Sequence, residues 1–221
     1  MMESYVSLLS KTPLFTGIAE REVEPFLQHM GARRRHFGKG GFVFYAGDDI
    51  NTIGIVLSGQ VHIVQEDYWG NRNILTAMQA GQFFGEAFAT LPEEKAIVDV
   101  IAVEDTDILF IHVASVIKAT DEFSLPGRKL VHNLLCLLAQ KNLLLTKKIR
   151  YISQRSTRHK LMAYLSDEAR QHGKATFTIE FNRQQLADYL SVDRSAMSAE
   201  LSRMQKDGLI FYHKDTFTLF Q

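Results

Sequence analysis

Apolar and polar positions along this chain change their period twice, and each change marks a different kind of element. Over residues 2–30 the period is helical: Ile18, Val23, Phe26, Leu27 and Met30 fall on one face, and Gly31 stops the run. From Arg33 to Ile111 the period shortens toward two. In TIGIVLSGQVHIVQ, Ile53, Ile55 and Leu57 alternate, Ser58-Gly59 turns the chain, and Val61 and Ile63 resume the pattern. DYWGNRN places a second turn at Gly70-Asn71, before Ile74, Thr76 and Met78, and AIVDVIAVEDTDILFI adds two more strands. Short strands punctuated by glycine predict a β-sandwich or barrel-like roll. RRRH at residues 33–36 reads as a strand of solvated charges.

After residues 113–120 and the break Leu125-Pro126-Gly127, the helical period returns and runs on. GRKLVHNLLCLLAQKNLLLTKKIRYIS has no proline and no internal glycine. Val131, Leu135, Leu138, Asn142, Leu145, Ile149 and Ile152 repeat at alternating spacings of four and three, the seam of a coiled coil. Asn142 is its polar member, a device that fixes register and a two-stranded state. Leu130, Leu134, Leu137 and Leu144 form a second apolar face. A helix apolar on two faces touches two things, so we expect a second copy's helix on one side and the chain's own roll on the other.

Ser156 reads as the N-cap of STRHKLMAYLSDEARQH, with Leu161, Leu165 and Ala169 as its stripe and Gly173 as its stop. The stretch NRQQLADYLSVDRSAMSAELSRMQKDGLI is the most specific signal in the chain. Asn182 and Gln185 form a capping-box variant, and Leu186, Ala187 and Leu190 point inward from a short helix. Ser191-Val192-Asp193 makes a turn, with Val192 as a buried plug and Asp193 as the next cap. Met197, Leu201 and Met204 are the inward residues of the second helix. That is a helix-turn-helix, with small Ala187 at the crossing. Arg194, Ser195, Ser198 and Ala199 then face outward, where such a unit meets base edges, and Arg203 and Lys206 lie further along, suited to phosphates. LIFYHKDTFTLF reads as a hairpin turning at His213-Lys214-Asp215, a wing beside the helices.

Composition narrows the class. The 221 residues are 46% apolar, enough for one large or two small domains. MMESYVSLLSK lacks a basic segment and a long apolar core, and no stretch reaches the ~18 apolar residues of a membrane span, so a cytoplasmic soluble protein is expected. The formal net charge is zero but unevenly spread. Residues 1–140 carry 11 Lys/Arg against 17 Asp/Glu, a net of −6, whereas residues 141–221 carry 14 against 8, a net of +6. A basic C-terminal module suits a polyanion such as DNA.

The order roll, long helix, winged helix-turn-helix, with the motifs LSGQVHI, AGQFFGE and VDRSAMSAELSRMQKDGLI, resembles the cyclic-AMP receptor protein / fumarate-nitrate regulator family of bacterial transcription factors over essentially the whole chain. The resemblance implies an α+β chain: a cyclic-nucleotide-binding-like, effector-binding β-roll with flanking helices over 1–125, a long dimerisation helix over 126–154, and a winged helix-turn-helix DNA-binding domain over 155–221. It implies a homodimer that places one recognition helix in each half of a palindromic promoter site on double-stranded DNA. RNA polymerase is a further implied partner, and a membrane is not. Ligand bound between roll and long helix would shift the DNA-binding domains between two arrangements.

Family members that bind cyclic AMP use a Gly-Glu pair and then an Arg-Ser pair that clamps the phosphate. Gly85-Glu86, followed by Ala87, match the first pair, and the second falls at Ala96-Ile97. Neither of those bonds a phosphate. Lys95 is adjacent, but if EEKAIVDVI is a plain apolar strand it points to the other face. The long-helix ligand positions fall near Lys141, Leu145 and Thr146. A buried phosphate without a partner is costly, so the expected effector is a small molecule other than cyclic AMP, or none.

Other sensing chemistries are also disfavoured. An iron–sulfur cluster needs four cysteines per chain, and this chain has Cys136 alone. Haem would need an axial ligand from His62, His112 or His132, and a lone histidine on an apolar element is ordinarily structural. Cys136 sits in a leucine-rich helix, where burial and low reactivity are expected. No nucleophile–base pair, metal spacing or phosphate loop points to an enzyme. A rival reading is a cyclic-nucleotide-binding module that regulates a protein partner, which predicts no DNA affinity. A hydrolase on a barrel-like sandwich would need a carboxylate or histidine cluster around Glu86.

Overall fold

The computed structural model describes residues 3–66, 69, 72–91, 93–122 and 125–220. The turn residues Gly70 and Asn71 lie outside that set. The chain forms two compact units, Met1–Leu138 and Ala139–Gln221, and the boundary falls inside the long helix.

The first unit opens with helix α1 (Glu3–Ser10), a 3-10 turn (Pro13–Phe15) and helix α2 (Glu20–His29). The helical period over residues 2–30 therefore spans two helices and a turn. Pro13 has no amide proton and pushes Thr12 to an extended backbone, which ends α1. Strands β1 (Arg33–Phe37), β2 (Phe42–Phe44), β3 (Thr52–Ser58), β4 (Gln60–Glu66), β5 (Arg72–Gln79) and β6 (Phe83–Phe84) follow. Then come the short helix α3 (Glu86–Ala89), β7 (Asp99–Ala102), β8 (Thr106–His112), helix α4 (Val113–Glu122) and the long helix α5 (Pro126–Ile152). Two four-stranded antiparallel sheets result, in the orders β1-β8-β3-β6 and β2-β7-β4-β5. Ser58-Gly59 is thus a crossing between sheets, since β3 and β4 belong to different ones.

The alternation along β3 has a three-layer cause. Val56 joins Val61, Phe84, Val100, Ile108 and Phe110 in the core between the sheets. Ile53, Ile55 and Leu57 face the other way, into a second core with Phe15, Phe26 and Leu27. Fully burying each such side chain contributes about 1.5–3 kcal/mol. Gly54 shares this strand because a Cβ there would stand 2.5 Å from the Phe84 ring. Leu130 and Leu134 of α5 enter the second core, and Asn133 Nδ2 donates to the carbonyls of Leu14 (3.0 Å) and Thr16 (2.9 Å). Leu144, read as part of that inner face, is instead 60% exposed.

Asp107 is a polar hub in this unit. Its carboxylate accepts from Tyr5 Oη (3.0 Å), Arg34 (2.8 Å) and Ser58 Oγ (3.3 Å), and His36 Nδ1 lies at 3.2 Å. Burial alone pushes this carboxyl up, but the bonds from Arg34, Tyr5 and His36 outweigh it and hold it below its ordinary value. RRRH is therefore only partly a solvated strand.

The second unit holds the end of α5, then helix α6 (Thr157–His172), β9 (Thr176–Thr178), helices α7 (Arg183–Tyr189) and α8 (Arg194–Lys206), and strands β10 (Ile210–His213) and β11 (Thr216–Leu219). Ser156 Oγ accepts from the His159 amide, and Gly173 closes α6 in the left-handed region (φ +62°). The wing has three strands, β10-β11-β9, one more than the hairpin read from sequence. β9 is only three residues long, Thr-Phe-Thr, and its threonines pair across as Thr176–Thr218 (3.0 Å) and Thr178–Thr216 (3.1 Å). One core joins Tyr151, Leu161, Leu165, Phe177, Leu186, Leu201 and Phe217.

Candidate nucleic-acid interface and effector loop

The α7-turn-α8 unit is built by its caps. Asn182 Oδ1 accepts from the Gln185 amide (3.0 Å) while Gln185 Oε1 accepts from the Asn182 amide (2.9 Å), a complete capping box. Asp193 Oδ1 accepts from the Ala196 amide (2.8 Å), and its carboxyl is held low by the Ser195 hydroxyl first and by that amide second. Leu186, Ala187, Leu190, Met197, Leu201 and Met204 are all fully buried. Val192 is half-buried rather than a buried plug, because its turn rides at the surface.

With that face turned in, Arg194, Ser195, Ala199, Arg203 and Lys206 are exposed and Ser198 is half-exposed. Arg194 and Lys206 have no ion-pair partner among the described residues. Ser195 Oγ donates to Asp193, and Ser198 Oγ donates to the Arg194 carbonyl (2.9 Å), so both hydroxyls present acceptor lone pairs outward. Arg203 lies 3.2 Å from Glu200 and would have to exchange that partner to reach a phosphate.

Three further cations, none singled out in the sequence, hold this frame from within. Arg158 of α6 bonds Glu200 (2.6 Å) and Asp207 (2.7 Å), and its bond is the main reason Glu200 is held below its ordinary value. Lys160 Nζ donates to the carbonyls of Leu190 and Ser191, both at 3.2 Å, bracing a turn in which Ser191 takes a left-handed φ of +51°. Arg183 bonds the Lys214 carbonyl at the wing tip. Lys214, exposed at that tip, is also absent from the sequence-based set. The partners lie 30 to 49 residues away in sequence, so no local pattern announces these contacts.

The effector loop differs from its expected form. Gly85 caps α3 at φ +82°, where an added Cβ would meet Phe44 at 3.1 Å and the Thr52 carbonyl at 3.2 Å. Glu86 is buried and Ala87 exposed. Ala96 and Ile97 are not in a strand, which corrects the strand reading of EEKAIVDVI: β7 begins at Asp99. The Ala96 amide donates to the Asp48 carbonyl (3.0 Å) and the Gly47 amide to the Ala96 carbonyl (2.7 Å), so this backbone pairs with a turn instead of a ladder. Ala96 is buried in the same apolar cluster as Ala89, Ile50 and Phe83, while Ile97 is 67% exposed. Strand alternation therefore does not orient Lys95, whose ammonium lies 3.8 Å from Asp49.

Lys141, Leu145 and Thr146 belong to α5 beyond Leu138 and so to the second unit. Lys141 is half-buried, Leu145 is exposed, and Thr146 Oγ1 is 3.4 Å from Asn142 Oδ1. Along the expected seam Leu135, Leu145 and Ile149 are each 61% exposed, and Val131, Leu138 and Ile152 are half-buried. Cys136, expected to be buried, is exposed, because it lies on neither inner face of α5; its Sγ is 3.6 Å from His132 Nε2. Among the described residues no three His, Cys, Asp or Glu side chains group as a metal site would need, and no helix is long and apolar enough to cross a membrane.

Comparison with known proteins agrees with this architecture. Residues 34–122 match the family model of the cyclic nucleotide-binding domain, and residues 159–219 match that of the Crp-like helix-turn-helix domain. A cyclic AMP receptor protein of Thermus thermophilus is 27% identical over 199 residues, 90% of this chain and 88% of that protein. The crystal structure of the catabolite activator protein of Thermus thermophilus superposes with a TM-score of 0.52 at 24% identity, covering 95% of this chain and 94% of that one. The c-di-GMP-responsive global regulator CLP of Xanthomonas campestris superposes with a TM-score of 0.54 at 21% identity, covering 92% and 100%. Proteins with this pair of domains are regulators rather than enzymes. The two domains, in this order and joined by a long helix, place the chain in the cyclic-AMP receptor protein / fumarate-nitrate regulator family of bacterial transcription regulators.

Proposed function

We propose that this regulator works as a homodimer on a palindromic DNA site, under the control of a small molecule other than cyclic AMP. The observation that carries the DNA contact is α8, whose inner face is fully buried while its first turn offers Arg194, Ser195, Ser198 and Ala199 outward beside a wing. Arg194 pairs with guanine O6 and N7, the serines accept from base amino groups, and Ala199 meets a thymine methyl. Lys206 and Arg203 take phosphates.

The exposed seam of α5 supports the dimer. Leu135, Leu145 and Ile149 gain about 1.5–3 kcal/mol each if fully buried, and Asn142 pairs with its copy to set the register. A two-fold axis then sets two α8 helices about 34 Å apart, one turn of B-DNA. The setting is the cytoplasm, with RNA polymerase as the partner at a promoter.

The effector reading rests on Ala96 and Ile97, whose side chains provide no bond for a phosphate. A ligand whose phosphate had to be neutralised there would be left unpaired.

A fluorescence-anisotropy titration of the full chain with a randomised duplex pool, across a salt series, tests the DNA reading. Salt-dependent binding with sequence selection is expected, and binding that ignores both salt and sequence overturns it. Sedimentation of the free chain as a monomer would remove the dimer. Native mass spectrometry of the freshly purified protein reads whether a small molecule is carried, and cyclic AMP in that spectrum would sink the effector proposal.

A further inference from the structure

Arg183 is the first residue of α7, directly after the Asn182 cap, and it reaches away from its own helix to the wing. Its guanidinium carbon lies 4.8 Å from the ring centre of Tyr212 and 5.1 Å from that of Phe217, cross-strand neighbours on β10 and β11 whose rings stack at 5.8 Å. Nη2 donates to the Lys214 carbonyl at 2.5 Å. That carbonyl belongs to a lysine held at φ +53°, a conformation uncommon outside glycine and asparagine. The next carbonyl, of Asp215, accepts from the Ile179 amide at 3.0 Å. Both carbonyls of the wing turn are therefore tied down, one by α7 and one by the chain after β9. The Lys214 side chain is left exposed at the tip, with no ion pair among the described residues.

We propose that Arg183 is a positioning residue that clamps the wing turn to the helix-turn-helix, so that Lys214 is presented to a DNA phosphate on the flank of the bases read by α8. This rests on the DNA-binding reading above and adds a second contact point to it. The charge of Arg183 is engaged inside the domain, where burial lowers its pKa, and a guanidinium keeps its proton in proteins. A flat guanidinium stacks on two rings and bonds a carbonyl in one pose, whereas the round ammonium of lysine does not. Arg183 thus contributes shape to the interface, and Lys214 contributes the charge.

The test is a double-mutant cycle in the full chain, using a fluorescein-labelled duplex that the wild type recovers from a randomised pool. Lys214→Ala should weaken binding severalfold and reduce the salt slope by about 1. Arg183→Ala should do the same, and the double variant should lose little more. Arg183→Lys should behave like Arg183→Ala, although it keeps the charge. Multiplying losses with a slope reduced by about 2, or full rescue by lysine, would mean that Arg183 touches phosphate itself and would overturn the proposal. So would binding unchanged by Arg183→Ala.

Hydrogen exchange of the same free proteins reads the clamp without DNA. The amides of residues 212–217 should exchange faster in both Arg183 variants, while those of α6 and α8 keep wild-type protection. If α6 and α8 lost protection as well, Arg183 would be a residue of general stability and the clamp would be refuted. Wild-type protein that bound no duplex would instead break the DNA reading, with the exchange result still standing on its own.

Discussion

Both units hold a buried carboxylate, Asp107 in the first and Asp167 in the second, where it accepts from Tyr151 Oη (2.7 Å) and pairs with Arg170 (3.4 Å), but in the second unit cations do more of the bracing. In the first, a mostly buried carboxylate, Asp107, gathers Tyr5, Arg34, Ser58 and His36 from two strands and a helix. In the second, three cations reach inward: Arg158 to Glu200 and Asp207, Lys160 to the helix-turn-helix turn, and Arg183 to the wing turn. The difference teaches how to read the net of +6 over residues 141–221. Part of that charge is structural, and counting lysines and arginines overstates what a phosphate meets. The surface offer is carried by fewer groups, with Arg194, Lys206 and Lys214 free of ion pairs among the described residues.

The contrast can be broken most sharply at Asp107. Asp107→Leu leaves its donors without an acceptor and should cost about 2–3 kcal/mol in urea unfolding, below the figure for a fully buried pair because Arg34 and His36 reach solvent. The pH dependence has a definite sign. The native carboxyl is held below its unfolded value, so its contribution is complete above the unfolded value near 4 and fades as pH falls through the native one. Asp107→Asn should flatten that acid limb, and a limb identical to wild type would remove Asp107 from the account.

Next in size is Arg194→Ala, expected to cost about 1–3 kcal/mol of discrimination at one base of each half-site while the urea midpoint stays put. Binding to a panel of single-base operator variants measures it. Lys160→Met should destabilise by about 1 kcal/mol, since both carbonyls it serves can turn to water. Ser191→Gly should be the smallest effect and of opposite sign, a gain of about 0.5 kcal/mol. Relief of a left-handed backbone slightly exceeds the added freedom of glycine in the unfolded chain.

Legibility followed the same divide. The winged unit could be read closely because its signals are local: Asn182 with Gln185, Asp193 with Ala196, and a buried stripe three and four residues apart. The roll's sandwich could be read from alternation, but its effector loop could not. Ala96 and Ile97 looked like strand because they are apolar and precede one, and their real partner is the turn at Gly47 and Asp48, roughly fifty residues upstream. Cys136 is exposed because a leucine-rich neighbourhood in sequence is not one in space: a helix with two apolar faces still has a third that is exposed. Asp107 and the three inward cations carry no mark in the sequence, for each is defined by groups that only folding brings near.

The crossing at Ser58-Gly59 has a consequence for synthesis. Because β3 and β4 enter different sheets, the roll cannot be laid down hairpin by hairpin. β1 waits for β8, whose paired residues lie about seventy positions downstream, and β3 waits for the same strand. A growing chain that has not yet passed His112 leaves β1 without its one neighbour and exposes the flank of β3. The sheet that holds β1 and β3 therefore closes late, although the β4–β5 hairpin can pair early, while the winged unit, whose paired strands are separated by 42 residues at most, has shorter loops to close.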